Sequence, residues 1–211
     1  MAYKAFKTID QYEAKLAVEA VELVYNGLHT DDEAYTLTDL KSYEGVQGIN
    51  IEAPGRTGQV NAGNKTTITV SRGPNQATGT ETVTKVLDQR KLDTLGYETV
   101  GETGVIAVGS DSSAPYYSKT WVNVLSNGKR ELMGARRVKD SQPTYNSRGD
   151  NGGEITFESY DIPFTAEVDD RGYVLYTQED VDSIDDVIAF MKLVHGSNVE
   201  DFTETPANQE P

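Results

Sequence analysis

Residues 119–125 and 130–138 are β-prone runs on either side of Ser126-Asn127-Gly128-Lys129. An Asn-Gly pair supplies the two positive-φ residues of a type I′ turn, whose twist matches that of paired strands, so a long antiparallel hairpin in fixed register is expected. A lone hairpin is barely stable in water and needs further strands or a helix to cover it. The chain offers them. From Tyr35 onward the pattern is β-like, and residues 48–52 and 66–70 alternate as half-buried strands do. Ala53-Pro54-Gly55, Asn61-Ala62-Gly63-Asn64 and Arg72-Gly73-Pro74-Asn75 separate them with residues suited to tight turns. Residues 104–108 read as another strand. A further one is expected over 154–164, with Ile155, Phe157 and Ser159 on one face and Glu154 and Glu158 on the other.

Two helices are expected. Over 84–95, Thr84 stands at the cap position, Val86, Leu87 and Leu95 share an inward face, and Gly96 is placed to end the helix in the left-handed conformation. Over 183–195, Ile184, Val187, Ile188, Met191 and Val194 form an apolar face. Asp180, Asp182, Asp185 and Asp186 favour the positive end of that helix and Gly196 closes it. Residues 9–20 read as an arm or short helix, 21–25 fit helix or strand equally, and 29–33 read as a polar loop. The class is mainly β with one packed α-helix (α+β), β-sandwich or barrel-like, plus a C-terminal helix. A length of 211 residues suits one large domain.

The net charge of −15 is unevenly spread. Residues 150–211 hold sixteen acidic and two basic side chains, while residues 1–149 hold eighteen and seventeen and are nearly neutral. Residues 119–148 are locally basic, with seven Lys or Arg against two acids. That balance argues against phosphate-neutralising nucleic-acid binding, which needs cations in excess. With no cysteine, disulfide scaffolds and cysteine-based zinc or redox chemistry are excluded. No apolar run is long enough to span a membrane, and the first fifteen residues lack a signal-type apolar stretch, which points to synthesis in a cytoplasm.

Motifs for chemistry are weak. The two histidines, His29 and His195, leave little for acid–base work at neutral pH, and His195 stands where a cation would favour the helix dipole. The segment 180–186 lacks the glycine and terminal glutamate of a calcium loop. Residues 73–80 have the glycine spacing of a phosphate loop without its lysine, and read as a turn. Asn64-Lys65-Thr66 and Arg148-Gly149-Asp150 are short patterns that arise by chance. Nothing singles out a catalytic carboxylate pair, and most of the twelve tyrosines and Trp121 are expected to pack rather than bind sugar. No catalytic, cofactor or metal residues are assigned.

The order of Val21–Tyr25, Asp31-Asp32-Glu33-Ala34-Tyr35, Leu40 to Gly45, Ile49-Asn50-Ile51 and Gly58 to Asn64 resembles the opening of major tail tube proteins of long, non-contractile-tailed phages. Leu87 to Gly96 is similar to that family's helix, and 121–138 followed by 153–165 to its late hairpin and strand. The resemblance spans most of residues 20–170, so the chain is expected to divide into an N-terminal arm or short helix (1–20), a tail-tube β domain (21–178), and, beyond the family's core pattern, a C-terminal helix (179–196) and a disordered acidic tail (197–211). The resemblance also implies a non-enzymatic virion protein, assembled in the bacterial cytoplasm, whose hexameric rings stack into the tube that conducts DNA to the host. Its partners would be its own copies and the tape-measure, tail-terminator and tail-tip proteins, with DNA passing without tight binding and no membrane involved. On that reading Glu154, Glu158 and Asp161 are lumen-facing acids, and Lys129, Arg130, Arg136, Arg137 and Lys139 form a basic hairpin that meets the acidic third of a neighbouring subunit. The competing readings are a carbohydrate- or receptor-binding β module, active as a monomer, and a carboxylate-pair hydrolase, which would need a cleft.

Overall fold

A computed structural model describes residues 18–30, 35–43, 45–62, 66–102, 104–144 and 159–199. The expected hairpin is its centre. Strands β9 (Tyr117–Leu125) and β10 (Arg130–Asp140) pair antiparallel, but their turn is not the expected type I′. Gly128 takes φ +80° while Asn127 is not at positive φ, and the Gly128 N–H donates to the Leu125 carbonyl at 2.9 Å, a longer hairpin loop that needs only one left-handed residue. On the far side of β9 lie β1 (Val18–His29) and β2 (Leu37–Tyr43). On the far side of β10, β11 (Tyr160–Glu167), β6 (Gln76–Val83) and β3 (Val46–Glu52) follow in that order, and β12 (Tyr176–Val181) pairs with the first half of β10. The result is one eight-stranded antiparallel sheet. Two ribbons stand outside it: β4 (Arg56–Ala62) with β5 (Thr66–Arg72), and β7 (Glu98–Val100) with β8 (Val105–Ala107).

The sheet curls until β3 lies close to β1, and its concave side encloses the main core. Val24, Val46, Ala77, Val83, Trp121, Val138, Ile162, Phe164 and Ala166 meet there, drawn from six strands. Phe164 fills the space over Gly79, where any Cβ would lie 2.4 Å from its ring. A glycine in mid-strand weakens pairing but admits a large aromatic from the neighbouring strand.

This interior also holds four charges. Glu81 (β6), Lys119 (β9), Asp140 (β10) and Arg90 of helix α1 (Asp88–Thr94) are all buried. Arg90 bonds the Glu81 carboxylate and lies 3.4 Å from Asp140; Lys119 reaches both acids at 3.2 and 3.3 Å. Trp121 Nε1 donates to Glu81 at 2.6 Å, while Tyr117 and Thr94 hydroxyls donate to Asp140 at 2.5 and 3.1 Å. The Lys119 ammonium sits 5.2 to 5.6 Å from the ring centres of Tyr117, Phe164 and Trp121, an aromatic cage. Two positive and two negative groups therefore balance, as burial demands. Burial would raise the Glu81 carboxyl, but Arg90 and Lys119 overcome it and hold the group below its usual range.

Several expectations are corrected. The middle helix begins at Asp88, four residues late, with Leu87 at its N-cap and no side-chain cap. Thr84 instead bonds the Gly45 carbonyl through both its N–H and its hydroxyl, prolonging the β3–β6 pairing, and Val86 is drawn into the core while Leu87 stays exposed. Gly96 does adopt φ +73°. Residues 21–25 are strand, and 18–20, assigned to the arm, belong to it. The turn expected over 73–80 gives way to β6 at Gln76. Strand β11 starts at Tyr160 among the described residues and runs on to Glu167. The terminal helix α2 (Ile184–His195) has Ser183 at its N-cap, accepting from the Asp185 N–H, and packs on the convex side of β9 and β10. The tail expected from residue 197 begins packed rather than disordered: Asn198 donates to the Leu37 carbonyl at 3.0 Å and Val199 is buried against Leu37 and Met191. The expected arm before Val18 and the rest of the tail after Val199 lie outside the described residues.

Arg90→Met should destabilise the fold by about 3–5 kcal/mol, since it leaves two buried carboxylates facing one ammonium; urea unfolding checks this. Because the folded Glu81 pKa, about 2, lies below its unfolded value near 4.5, the wild-type contribution is complete above 4.5 and is lost progressively as pH falls from there through the folded value, so the urea midpoint should decline steadily below pH 4.5.

Candidate functional site

Alternation along β3, β6 and β11 turns one set of side chains into the core and the other outward. Register places the outward set in rows: Gly48, Thr82 and Asp161; Asn50, Thr80 and Pro163; Glu52, Thr78 and Thr165. The face is threonine-rich with two carboxylates and no cation in these nine positions. Asp161 is exposed and accepts from the Thr82 hydroxyl at 2.8 Å. Glu154 and Glu158 lie outside the described residues. Lys139 of β10 extends the last row opposite Thr165, and that is where positive charge begins. Among the described residues the outer edges of β2, β3 and β12 pair with no strand. Unpaired edges offer backbone donors and acceptors to another chain.

The basic hairpin residues are engaged within their own chain. Lys129 lies 3.9 Å from Asp180, and Arg130 grips Glu22 through Nε at 2.7 Å. Arg136 is buried and donates to the carbonyls of Leu193 and Val194 at 3.2 and 3.3 Å, with Asp169 and Asp170 3.7 and 3.5 Å from its Nε. A guanidinium at the last carbonyls of α2 suits the negative end of the helix dipole. Arg137 stacks 4.0 Å from the Tyr116 ring centre and meets Glu167 at 3.2 Å; Lys139 bonds Ser113 at 3.2 Å. Lys129, Arg137 and Lys139 keep part of their surface in solvent.

Beneath α2 the two histidines come together around one hydroxyl. His29 Nε2 and His195 Nδ1 each lie 2.6 Å from Ser118 Oγ, His195 Nε2 lies 2.8 Å from Thr120 Oγ1, and His29 Nδ1 lies 3.0 Å from the Tyr35 carbonyl. The His29 ring stacks on Tyr35 at 3.9 Å. His195 is thus no exposed cation at a helix end. Burial above all, aided by the charges of His29 and Arg136, lowers it to about 3; burial lowers His29 to about 4 against the Tyr35 bond. A serine between imidazoles has the parts of an activated nucleophile, yet Ser118 is fully buried and no substrate reaches it in this arrangement. Nothing in the sequence signals this pairing, because it depends on β1 and α2 packing on the same strand.

No family model matches the sequence, and no curated protein matches it. Among solved structures the chain is similar to one described as the anti-feeding prophage cap, a tube-terminating cap, at 9% identity and a TM-score of 0.48, over 84% of this chain and 99% of that one. At that level the likeness bears on neither family nor function.

Two glycines let α2 approach. A Cβ at Gly27 would lie 2.5 Å from Ser118 Oγ and 2.7 Å from His195 Nδ1, and one at Gly134 would lie 2.6 Å from a Val194 methyl. Gly134→Ala should therefore cost about 1–3 kcal/mol and raise hydrogen exchange in α2 more than in β6 or β11. Equal loosening of all three would show that the glycine does not act through the helix.

Proposed function

We propose that the chain is a structural protein of a phage tail, a subunit of the tail tube, whose hexameric rings stack into the conduit for DNA. The resemblance in the order of its motifs supplies the family. The observation that carries the reading is the outward face of β3, β6 and β11, cation-free across its nine paired positions and ending in an edge that pairs with no strand among the described residues. Lateral joining of such sheets at their edges would close a ring without leaving edges exposed. A lumen of hydroxyls and carboxylates gives DNA no cations to displace counterions from, so the duplex slides rather than binds.

On this reading Asp161, with Glu154 and Glu158 on the segment before it, faces the lumen. The half-exposed Lys129, Arg137 and Lys139 are the members of the basic hairpin placed to meet acids of a neighbouring subunit, with Arg130 and the buried Arg136 holding their own chain together. The protein works in the virion tail without catalysis, beside tape-measure, terminator and tail-tip proteins.

Negative-stain electron microscopy of concentrated protein should show rings or tubes with a central channel; a persistent monomer counts against the proposal. In tubes that form, Thr80→Lys should leave assembly intact and make the tubes retain added DNA on sedimentation at low salt. Unchanged retention would place this face away from the channel.

A further inference from the structure

We propose that α2 is an acid-releasable latch: protonation of the His29–Ser118–His195 chain frees the C-terminal helix from β9 and β10 while the sheet interior stays folded. The proposal does not depend on the tail reading.

The hydrogen-bond directions are fixed from one end. The Tyr35 carbonyl can only accept, so His29 Nδ1 carries a proton and His29 Nε2 presents a lone pair. The single Ser118 proton goes to that lone pair, so Ser118 Oγ accepts from His195 Nδ1–H. His195 Nε2 is then an acceptor and takes the Thr120 hydroxyl proton. All four ring nitrogens are satisfied with both rings neutral. A proton added at His29 Nε2 would aim two N–H groups at Ser118 Oγ and push its hydrogen toward the Gly27 carbonyl, 3.4 Å away. A proton added at His195 Nε2 would require Thr120 to turn and would place a cation in a sealed site.

The charges around the site do not welcome that cation. From β10, Arg136 sits on the carbonyls of Leu193 and Val194, and from the loop before β12, Arg171 donates to Leu193 at 3.1 Å. The carboxylates in that loop, Asp169 and Asp170, face Arg136, and Asp169 also accepts from the Tyr176 phenol of β12. Tyr25 of β1 packs against the helix region, and burial raises its phenol and that of Tyr35, so both stay neutral.

The sign follows. An undocked imidazole titrates near 6.5 and the docked His195 near 3, so docking is undiminished above pH 6.5 and weakens progressively as pH falls toward 3. By pH 5 His195 alone shifts the docking equilibrium by roughly thirtyfold toward release. The interior network contains no histidine and its Glu81 stays ionised there, so the curled sheet outlasts the latch. Release would uncover Val122 and Leu132 on the convex side of the sheet.

Hydrogen exchange of the full chain at pH 7.5 and 5.0, corrected for intrinsic rates, should show α2 protection falling about thirtyfold with β9, β10 and β11 protected and Trp121 fluorescence unchanged. His195→Asn, which keeps a donor for Ser118, should dock and lose most of that pH response. A change in α2 below threefold, or loss of α2 and Trp121 signals together, overturns the latch. If the variant does not fold, nuclear magnetic resonance titration of the two wild-type imidazoles decides: values well below 6.5 support the proposal, and ordinary values for both overturn it.

Discussion

Four charges sealed inside the curled sheet, Glu81, Arg90, Lys119 and Asp140, set the terms for everything around them. Each would cost several kcal/mol to remove from water unpaired, so the fold must hold all four partners at once. Glu81 and Lys119 come from strands that are not neighbours: β11 and β10 lie between β6 and β9. Their 3.2 Å contact is made across the interior, which a flat sheet would not allow. The network thus gives a physical reason for the curl. It also fixes α1, a seven-residue helix too short to be stable alone, because Arg90 and Thr94 project into the same cluster.

The two sides of the sheet then have different fates. Strands β9 and β10 are covered twice, by the core on the concave side and by α2 on the convex side, and accordingly read as nearly continuous burial. Strands β3, β6 and β11 are covered once and alternate in burial. Glycine serves both arrangements by different means. Gly27 and Gly134 let a helix close on the backbone, whereas Gly79 admits the Phe164 ring from inside.

Legibility in the sequence tracks how local the cause is. The hairpin over 119–138 and the helix over 183–195 are readable because their determinants lie within a few residues, although the turn uses one left-handed glycine rather than a type I′ pair. The start of α1 was misread because Thr84, a good cap by itself, is taken by the Gly45 carbonyl of another strand. Strand β12 gave no signal: four of its six residues are exposed, and it exists because β10 offers an edge. The outward carboxylate Asp161 does not follow from strand alternation, which groups its parity with Ile155, Phe157 and Ser159, whereas Ile162, Phe164 and Ala166 are the residues that turn inward. Its companions Thr78, Thr80 and Thr82 are hidden with β6 in a glycine-containing run. The histidine chain was beyond reach, as β1, β9 and α2 meet there only through tertiary packing.

The segregated charge now has a structural meaning. The basic hairpin does not lie idle beside an acidic third; Lys129 meets Asp180, Arg136 meets Asp169 and Asp170, and Arg137 meets Glu167. These contacts gather cations toward β10 and its neighbours, where acids of the same chain accompany them. The rows of β3, β6 and β11 receive none until Lys139. A polyanion approaching that face meets hydroxyls able to hydrogen-bond phosphate and carboxylates that repel it. Counterion release needs fixed positive charge at the contact, and without it close passage does not become retention. Net negative charge alone would not achieve this, because a few clustered lysines on the same face would suffice to hold a duplex. What matters is that the pairing within the chain keeps them elsewhere.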